Sequence, residues 1–370
     1  MVRSLLILFT SSLIFAWTGC TVISDEASAT LTATVIGVST RPLSVDEQER
    51  VAEPFEGILT VYSGDPVFQR GRPDTWDATS VEPGAILFHD GLFHMFYNGS
   101  SESSPGGIGY AISTDGYAWY RMTAAPVLTA DDVDYAFSVV RASSVFVRGD
   151  GTWVMYFSTE RRSRGEPAGA IARATANQPA GPWTPEDMPV LQPGRLNTWD
   201  EPVVSQPDVL KTDDGYVMYY TGLYYREANW TSSIGLATSP DGVTWIKYND
   251  PTTMEGLFRD SDVVLGTGVS EWEAGMVMSP RVWRMPDAWG MIYTGISSSE
   301  RVVSVGYATS LNGVAWTRFE GNPILTTEDI WNVVSVGTLE LLCHEGKYLL
   351  YFSGTKDDRT WDIYLAASGQ

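Results

Sequence analysis

Carboxylates are the side chains of this sequence best placed to do chemistry. The stretch 197–210, NTWDEPVVSQPDVL, sets Asp200, Glu201 and Asp208 beside a tryptophan and two prolines, and Glu82 and Glu160 stand near similar strand-like runs. Two carboxyl groups converging on a C–O bond can break it: one, protonated, gives a proton to the leaving oxygen, while the other, ionised, attacks or activates water. Other chemistries find less support. His89 and His344 fall in equivalent turns and His94 in a strand, so the three histidines form no site. There is no Cys/His metal spacing, no Ser-His-Asp arrangement and no glycine loop that would cradle phosphate, so the sequence implies no cofactor and no metal. Asp213 and Asp214 read as a hairpin turn and not as a calcium loop.

The elements that position these acids are short strands. A phrase recurs as DPVFQRGRPDTWD, APVLTADDVDYAF, MPVLQPGRLNTWD, DVVLGTGVSEWE and NPILTTEDIWN, at intervals of roughly 60–75 residues. After each comes an apolar strand ending in a turn, as in EPGAILFHDG. A second strand follows, as in YVMYYTG, then a third, as in SIGLATSPDG. In three units a fourth opens on tryptophan: AWYRM, TWIKY and AWTRF. Four short strands with Gly and Asp-Gly turns per unit, five times over, predict an all-β, five-bladed β-propeller of four-stranded blades. The last unit stops at its third strand, DIYLAASGQ, so FEGILTVYSGDPVF (55–68) is expected to supply the missing strand and close the ring, hiding two sheet edges.

At 370 residues, with 12% aromatic and 19% charged residues, the chain has the profile of a folded domain with a large core. Its formal net charge of -21 argues against a nucleic-acid partner, since such binding runs on Lys and Arg. MVRSLLILFTSSLIFAWTGC has one Arg, a short apolar run and small residues before a cysteine, which predicts a signal peptide over 1–20. WTGC resembles a bacterial lipobox, implying lipidation at Cys20, membrane contact only through that anchor, and a secreted or cell-envelope location. Cys343 is then the one free thiol, so no intramolecular disulfide is expected. Residues 21–54 read as a tether and 55–370 as the propeller.

Comparison of the units with one another separates scaffold from site. Trp76-Asp77, Trp199-Asp200 and Trp272-Glu273 recur, with Trp331-Asn332 as a near copy, so the pair is expected to be structural: the ring packs and the acid holds backbone. Before the prolines of the first strands the series reads Glu82, Ala142, Gln206, Ser279, Gly337, with one carboxylate. Two residues on it reads Gly84, Ser144, Asp208, Arg281, Leu339. Asp208 and Arg281 either pair with each other between units or converge with Glu82 in the axial funnel. Glu160, after the second strand, is the one acid of its series; it is a second candidate or a loop acid paired with Arg161 or Arg162. Tyr224, Tyr225 and Trp230, in a loop found in one unit, offer flat faces on which sugars stack, or simply pack the loop.

The pattern W-D, P-D-V-L, D-D-G-Y-V-M-Y-Y-T-G, S-I-G-L-A-T-S-P-D-G-V-T-W resembles the propeller glycosidases of glycoside hydrolase families 43, 32 and 130, over residues 55–370. The resemblance implies catalytic carboxylates at the starts of the innermost strands, about 5 Å apart for retention of configuration or about 6.5–9.5 Å for inversion. Glu82-Pro83 matches the first-blade acid, and Arg141 matches the Arg of an Arg-Asp-Pro motif. Ala142, Ser205 and Gln206 stand where the families carry further acids. The expectation is a glycoside hydrolase with Glu82 as nucleophile or base, Asp208 or Glu160 as second carboxylate, and Arg141 and Arg281 binding substrate hydroxyls or a carboxylate. The alternatives are a non-catalytic glycan-binding surface lipoprotein and a purely structural surface protein.

Overall fold

The computed structural model describes residues 20–24, 27–31 and 55–369, with interruptions at 137, 162–167, 227–228, 254, 301, 331–332 and 358. The expected leader lies outside the described residues up to Cys20, as do Trp331-Asn332 and Arg162. Where the stretch read as a leader meets the one read as a tether, Cys20–Ser24 pairs antiparallel with Ala27–Leu31.

Five sheets are built mainly from chain-adjacent antiparallel strands, with single parallel pairings linking II to III through Gly169↔Val203 and V to I through Trp361↔Ser80. Sheet I comprises Ser80–His89, Leu92–Ser101, Ser104–Ser113 and Tyr120–Arg121. Sheet II comprises Val139–Val147, Trp153–Arg161, Ala168–Ala176 and Thr184–Pro185. Sheet III comprises Pro202–Thr212, Gly215–Arg226, Asn229–Ser239 and Ile246–Lys247. Sheet IV comprises Met276–Arg284, Trp289–Ile296, Val303–Ser310 and Trp316–Arg318. Sheet V has three consecutive strands, Ser335–His344, Lys347–Thr355 and Trp361–Ala367, and on the third lies Thr60–Val61 from the other end of the chain, through Ala366↔Val61 and Ala367↔Thr60.

Turn chemistry fixes the hairpins. Asp90-Gly91 and Glu345-Gly346 join first to second strands with φ of 48° and 78°, and 48° and 74°, the mirror-image two-residue turn whose twist matches that of the strands. Past the third strand, Asp241 Oδ1 accepts from the N–H groups of Val243 and Thr244 while Ser239 Oγ accepts from that of Gly242; Ser113/Asp115 and Ser310/Asn312 repeat the arrangement.

The first strands pack side by side in the order I to V, and that of sheet V also lies against that of sheet I. Apolar side chains alternating on both faces of each sheet fill the spaces between neighbours. Ala85, Phe96 and Tyr110 meet Met155, Phe157 and Trp183 between I and II, and Val81 and Met95 meet Leu349 and Ile363 between I and V.

The Trp-acid pairs have a fuller structural role than a turn cap. Trp76, Trp199 and Trp272 stack on Tyr97, Tyr220 and Tyr293 with ring centroids 5.7–5.9 Å apart. Their buried acids accept both from those tyrosine hydroxyls and from a fourth-strand cation. Asp77 takes Arg121 at 2.8 Å, Asp200 takes Lys247 at 2.5 Å and Glu273 takes Arg318 at 2.7 Å. The Arg or Lys of AWYRM, TWIKY and AWTRF is thus the partner of the acid in the preceding phrase. Third-strand glycines make room for the stack: a Cβ on Gly235 would sit 2.5 Å from Trp199 and 2.6 Å from Tyr220.

Candidate functional site

Each first strand carries a β-bulge midway along its pairing, between Pro83 and Ala85, Ala142 and Ser144, Ser205 and Asp208, Met278 and Arg281, and Val336 and Leu339. Bulges bend a strand and re-aim its side chains. Just before the bulge, register places Glu82 opposite Asn98, Arg141 opposite Ser158, Ser205 opposite Thr221 and Met278 opposite Thr294. Just after it, Ala85, Ser144, Asp208, Arg281 and Glu340 face Phe96, Tyr156, Tyr219, Ile292 and Tyr351. The prolines used to align the units are therefore not equivalent, because Pro83 precedes its bulge while Pro207 and Pro280 lie within theirs. That one-residue slip put Ala142, Gln206 and Ser279 in place of Arg141, Ser205 and Met278, and it hid Glu340 behind Leu339.

The two layers do different things. Glu82, Arg141, Ser205, Met278 and Thr338, one residue from each first strand, line a cavity of about 360 Å³ together with Asn98, Glu160, Gln206, Thr221 and Leu223 from neighbouring positions. Arg141 is its organiser. Its Nη1 donates to Glu82 Oε2 at 2.6 Å, and its Nε lies 3.9 Å from Glu160 Oε2. Burial alone would push the guanidinium's pKa down, and the two carboxylates more than offset this, holding it above its ordinary value. Glu82 Oε2 also accepts from Thr338 Oγ1 at 2.8 Å. Two donors on one carboxylate oxygen favour its ionised form. The two contacts to one planar guanidinium keep the Glu82 and Glu160 oxygens within roughly 9 Å of each other.

Asp208 and Arg281 lie in the deeper layer and do not join Glu82. Asp208, 0% exposed, accepts the backbone N–H of Val282 in the next sheet at 2.7 Å. Arg281 does not pair with Asp208: its Nε donates to Glu340 Oε2 at 2.5 Å and its Nη1 to Pro280 O. Glu340 also accepts from the Ile86 N–H at 3.4 Å. A buried guanidinium is stable where a carboxylate and a carbonyl take its donors, and here the carboxylate comes from the first strand of sheet V and the carbonyl from Arg281's own strand. On its far side Arg281 borders a small, mostly apolar hollow of about 60 Å³ lined by Phe146, Trp283 and Leu341, away from Glu82.

The aromatic candidates divide. Tyr224 packs into the cluster around Trp199 and Tyr220 between sheets II and III. Tyr225, 59% exposed, continues the strand face of Thr221 and Leu223 that borders the cavity, and meets Trp230 across the hairpin with ring centroids 5.3 Å apart. Glu201, outside the cavity, accepts from the Asn197 N–H at 3.4 Å. Thr338 and Asn98 were missed in the sequence. Among the described residues no group of three or more His, Cys, Asp or Glu is arranged to hold a metal ion. In a wider groove of about 1000 Å³ at the I–V seam, Arg70 pairs with Asp362, and Asp357 caps the turn to Thr360.

No protein-family model matches the chain, and no curated protein matches it. Solved structures do. A protein whose structure is described as a complex with RGII superposes with a TM-score of 0.63 at 15% identity, over 87% of this chain and 93% of the other. A structure from the GH130 family of mannoside phosphorylases, described as containing glycoside hydrolases that target β-1,2 mannosidic linkages in Candida mannan, gives 0.63 at 17%, over 85% and 96%. A thermostable family-43 glycoside hydrolase gives 0.59 at 16%, over 80% and 95%. At such identities the likeness establishes the all-β fold that this chain shares with glycoside hydrolases.

Proposed function

We propose that the five sheets are the blades of a closed five-bladed propeller, and that the protein is a glycoside hydrolase acting on oligo- or polysaccharide through Glu82 and Glu160. The observation that carries this is the pair of carboxylates held by one guanidinium in a single cavity of about 360 Å³, no farther apart than the upper limit of about 9.5 Å for two-carboxylate hydrolysis. The first-strand contact between sheets V and I and the Thr60–Val61 pairing support the ring.

Roles follow from the contacts. Glu82, with Arg141 and Thr338 on one oxygen, serves as nucleophile or base. Glu160, 3.9 Å from the same guanidinium, takes the part of the acid that gives a proton to the leaving oxygen. Ser205 and Gln206 offer hydrogen bonds to sugar hydroxyls, and Tyr225 with Trp230 a face for a ring further out. Asp208 and Arg281 serve as scaffold in this reading. The leader-like 1–20 segment and Cys20 support a lipid-anchored place in the cell envelope. The RGII ligand of one structural neighbour and the mannan linkages named for another make RGII-derived and mannan oligosaccharides the first to test.

The test is a hydrolysis screen over such oligosaccharides with wild type, Glu82→Gln and Glu160→Gln. Turnover lost by at least about a hundredfold in both variants supports the reading. Turnover unchanged in either removes that residue's role. Glycan binding by the wild type without any turnover favours a binding protein instead.

A further inference from the structure

The seam between sheets V and I is wired differently from its neighbours. At three seams a side chain on the second strand of one sheet takes an N–H at the bulge of the next. Asn98 Oδ1 accepts from Ala142 at 2.7 Å, Ser158 Oγ from Gln206 at 2.8 Å and Thr221 Oγ1 from Ser279 at 3.0 Å. In sheet I the equivalent position is Pro83, which has no N–H to give. Ser353, the side chain that would have reached it, instead accepts the N–H of Thr338 in its own sheet at 2.9 Å. The sheet IV member of the series, Thr294, is buried, and its hydroxyl has no hydrogen-bond partner among the described residues: the amide it would have met is the one Ser353 holds. Thr338, fixed in this way, sends its own hydroxyl to Glu82 Oε2 at 2.8 Å, opposite Arg141.

We propose that Thr338 is a positioning residue for Glu82, and that Pro83 and Ser353 exist in this arrangement to aim it. The proposal deepens the reading of Glu82 as the ionised carboxylate of the cavity and rests on it. The Thr338 hydroxyl and the Arg141 guanidinium meet one carboxylate oxygen from two different sheets, which fixes the carboxylate's rotation, and the hydroxyl adds a donor that stabilises its charge. Removing the hydroxyl withdraws a donor from the ionised form, so the Glu82 pKa rises and the acid limb of activity moves to higher pH.

The experiment compares the full chain with Thr338→Val and Thr338→Ser, using two readouts. The first is a carboxyl carbon-13 NMR titration of Glu82, assigned with Glu82→Gln. The second is the pH profile of kcat/KM on whichever glycan the wild type cleaves. With Val, the Glu82 midpoint and the acid limb are expected to rise by about one pH unit, kcat to fall about tenfold and KM to change little; Ser restores all of them. A Glu82 midpoint that is the same in Val and wild type overturns the proposal. If the wild type cleaves nothing, the hydrolase reading fails, yet the titration still decides Thr338. If Thr338→Val does not fold, Ser353→Ala, which releases the Thr338 amide, is read the same way, and an unmoved midpoint there also overturns the proposal.

Discussion

Arg281→Met is expected to destabilise the protein strongly without touching the cavity. Arg281 and Glu340 are each 2% exposed by side chain and meet at 2.5 Å. The substitution strips the ion pair and leaves the Glu340 carboxylate buried without its guanidinium. Breaking one side of a buried pair costs about 3–5 kcal/mol. At about 2 °C per kcal/mol for a domain of this size, Tm is expected to fall by roughly 6–10 °C. The double variant Arg281→Met, Glu340→Leu removes both charges from surroundings that include Val282, Trp283, Leu341 and Leu342, and is expected to recover most of that loss. Thermal melts followed by tryptophan fluorescence and circular dichroism measure both. Glycan KM, taken well below the melt, is expected to stay within about twofold of wild type. A single variant that melts with the wild type would refute the burial argument, and a KM raised about tenfold at full stability would return Arg281 to the binding site.

Other expectations follow from the scaffold. Lys247→Met leaves the Asp200 carboxylate buried and is expected to cost about 3–5 kcal/mol by urea denaturation, while Arg121→Met, whose side chain is a third exposed, costs less. Gly235→Ala forces a Cβ against Trp199 and Tyr220 and is expected to cost about 1–3 kcal/mol in the same assay. The backbone N–H groups of Thr244 and Val243 hold the Asp241 pKa down at about 2. Its contribution to stability is therefore complete above about pH 4 and lost as pH falls toward 2. Asp241→Asn is expected to keep neutral-pH stability, as Asn312 does in sheet IV, and to flatten the acid limb of a Tm-against-pH curve. An unchanged limb would show that the turn does not govern it.

The strand repeat was legible because each strand ends in residues that can do little but turn, such as Asp90-Gly91 and Asp241-Gly242. The Trp-acid pair was legible as scaffold because it recurs, although its fourth-strand partner was not, since Asp200 and Lys247 become neighbours only when a sheet forms. The site was harder to read. A bulge adds a residue on one strand, and the sequence does not show where. Two prolines that look equivalent, Pro83 and Pro207, sit on different sides of that residue, which was enough to set Asp208 beside Glu82 on paper when it lies a layer beneath. Glu160 and Arg141 come from different strands of sheet II and meet Glu82 across a seam, a convergence that period-two alternation within one strand cannot reveal.

The pairing of Thr60–Val61 with Ala366 and Ala367 has a consequence for biosynthesis. Sheets I to IV each form from contiguous chain and can assemble as they leave the ribosome. Sheet V needs a strand made about 300 residues earlier, and at ordinary elongation rates that strand waits roughly 15–60 s for its partner. Over the same interval Val81, Ile86, Phe93 and Met95 face water, because Leu342, Leu349 and Ile363, which cover them, have yet to be made. The nascent chain thus carries an apolar sheet face and an unpaired strand until its last segment emerges, and that interval is when a chaperone, or premature association with another copy, has the most to act on.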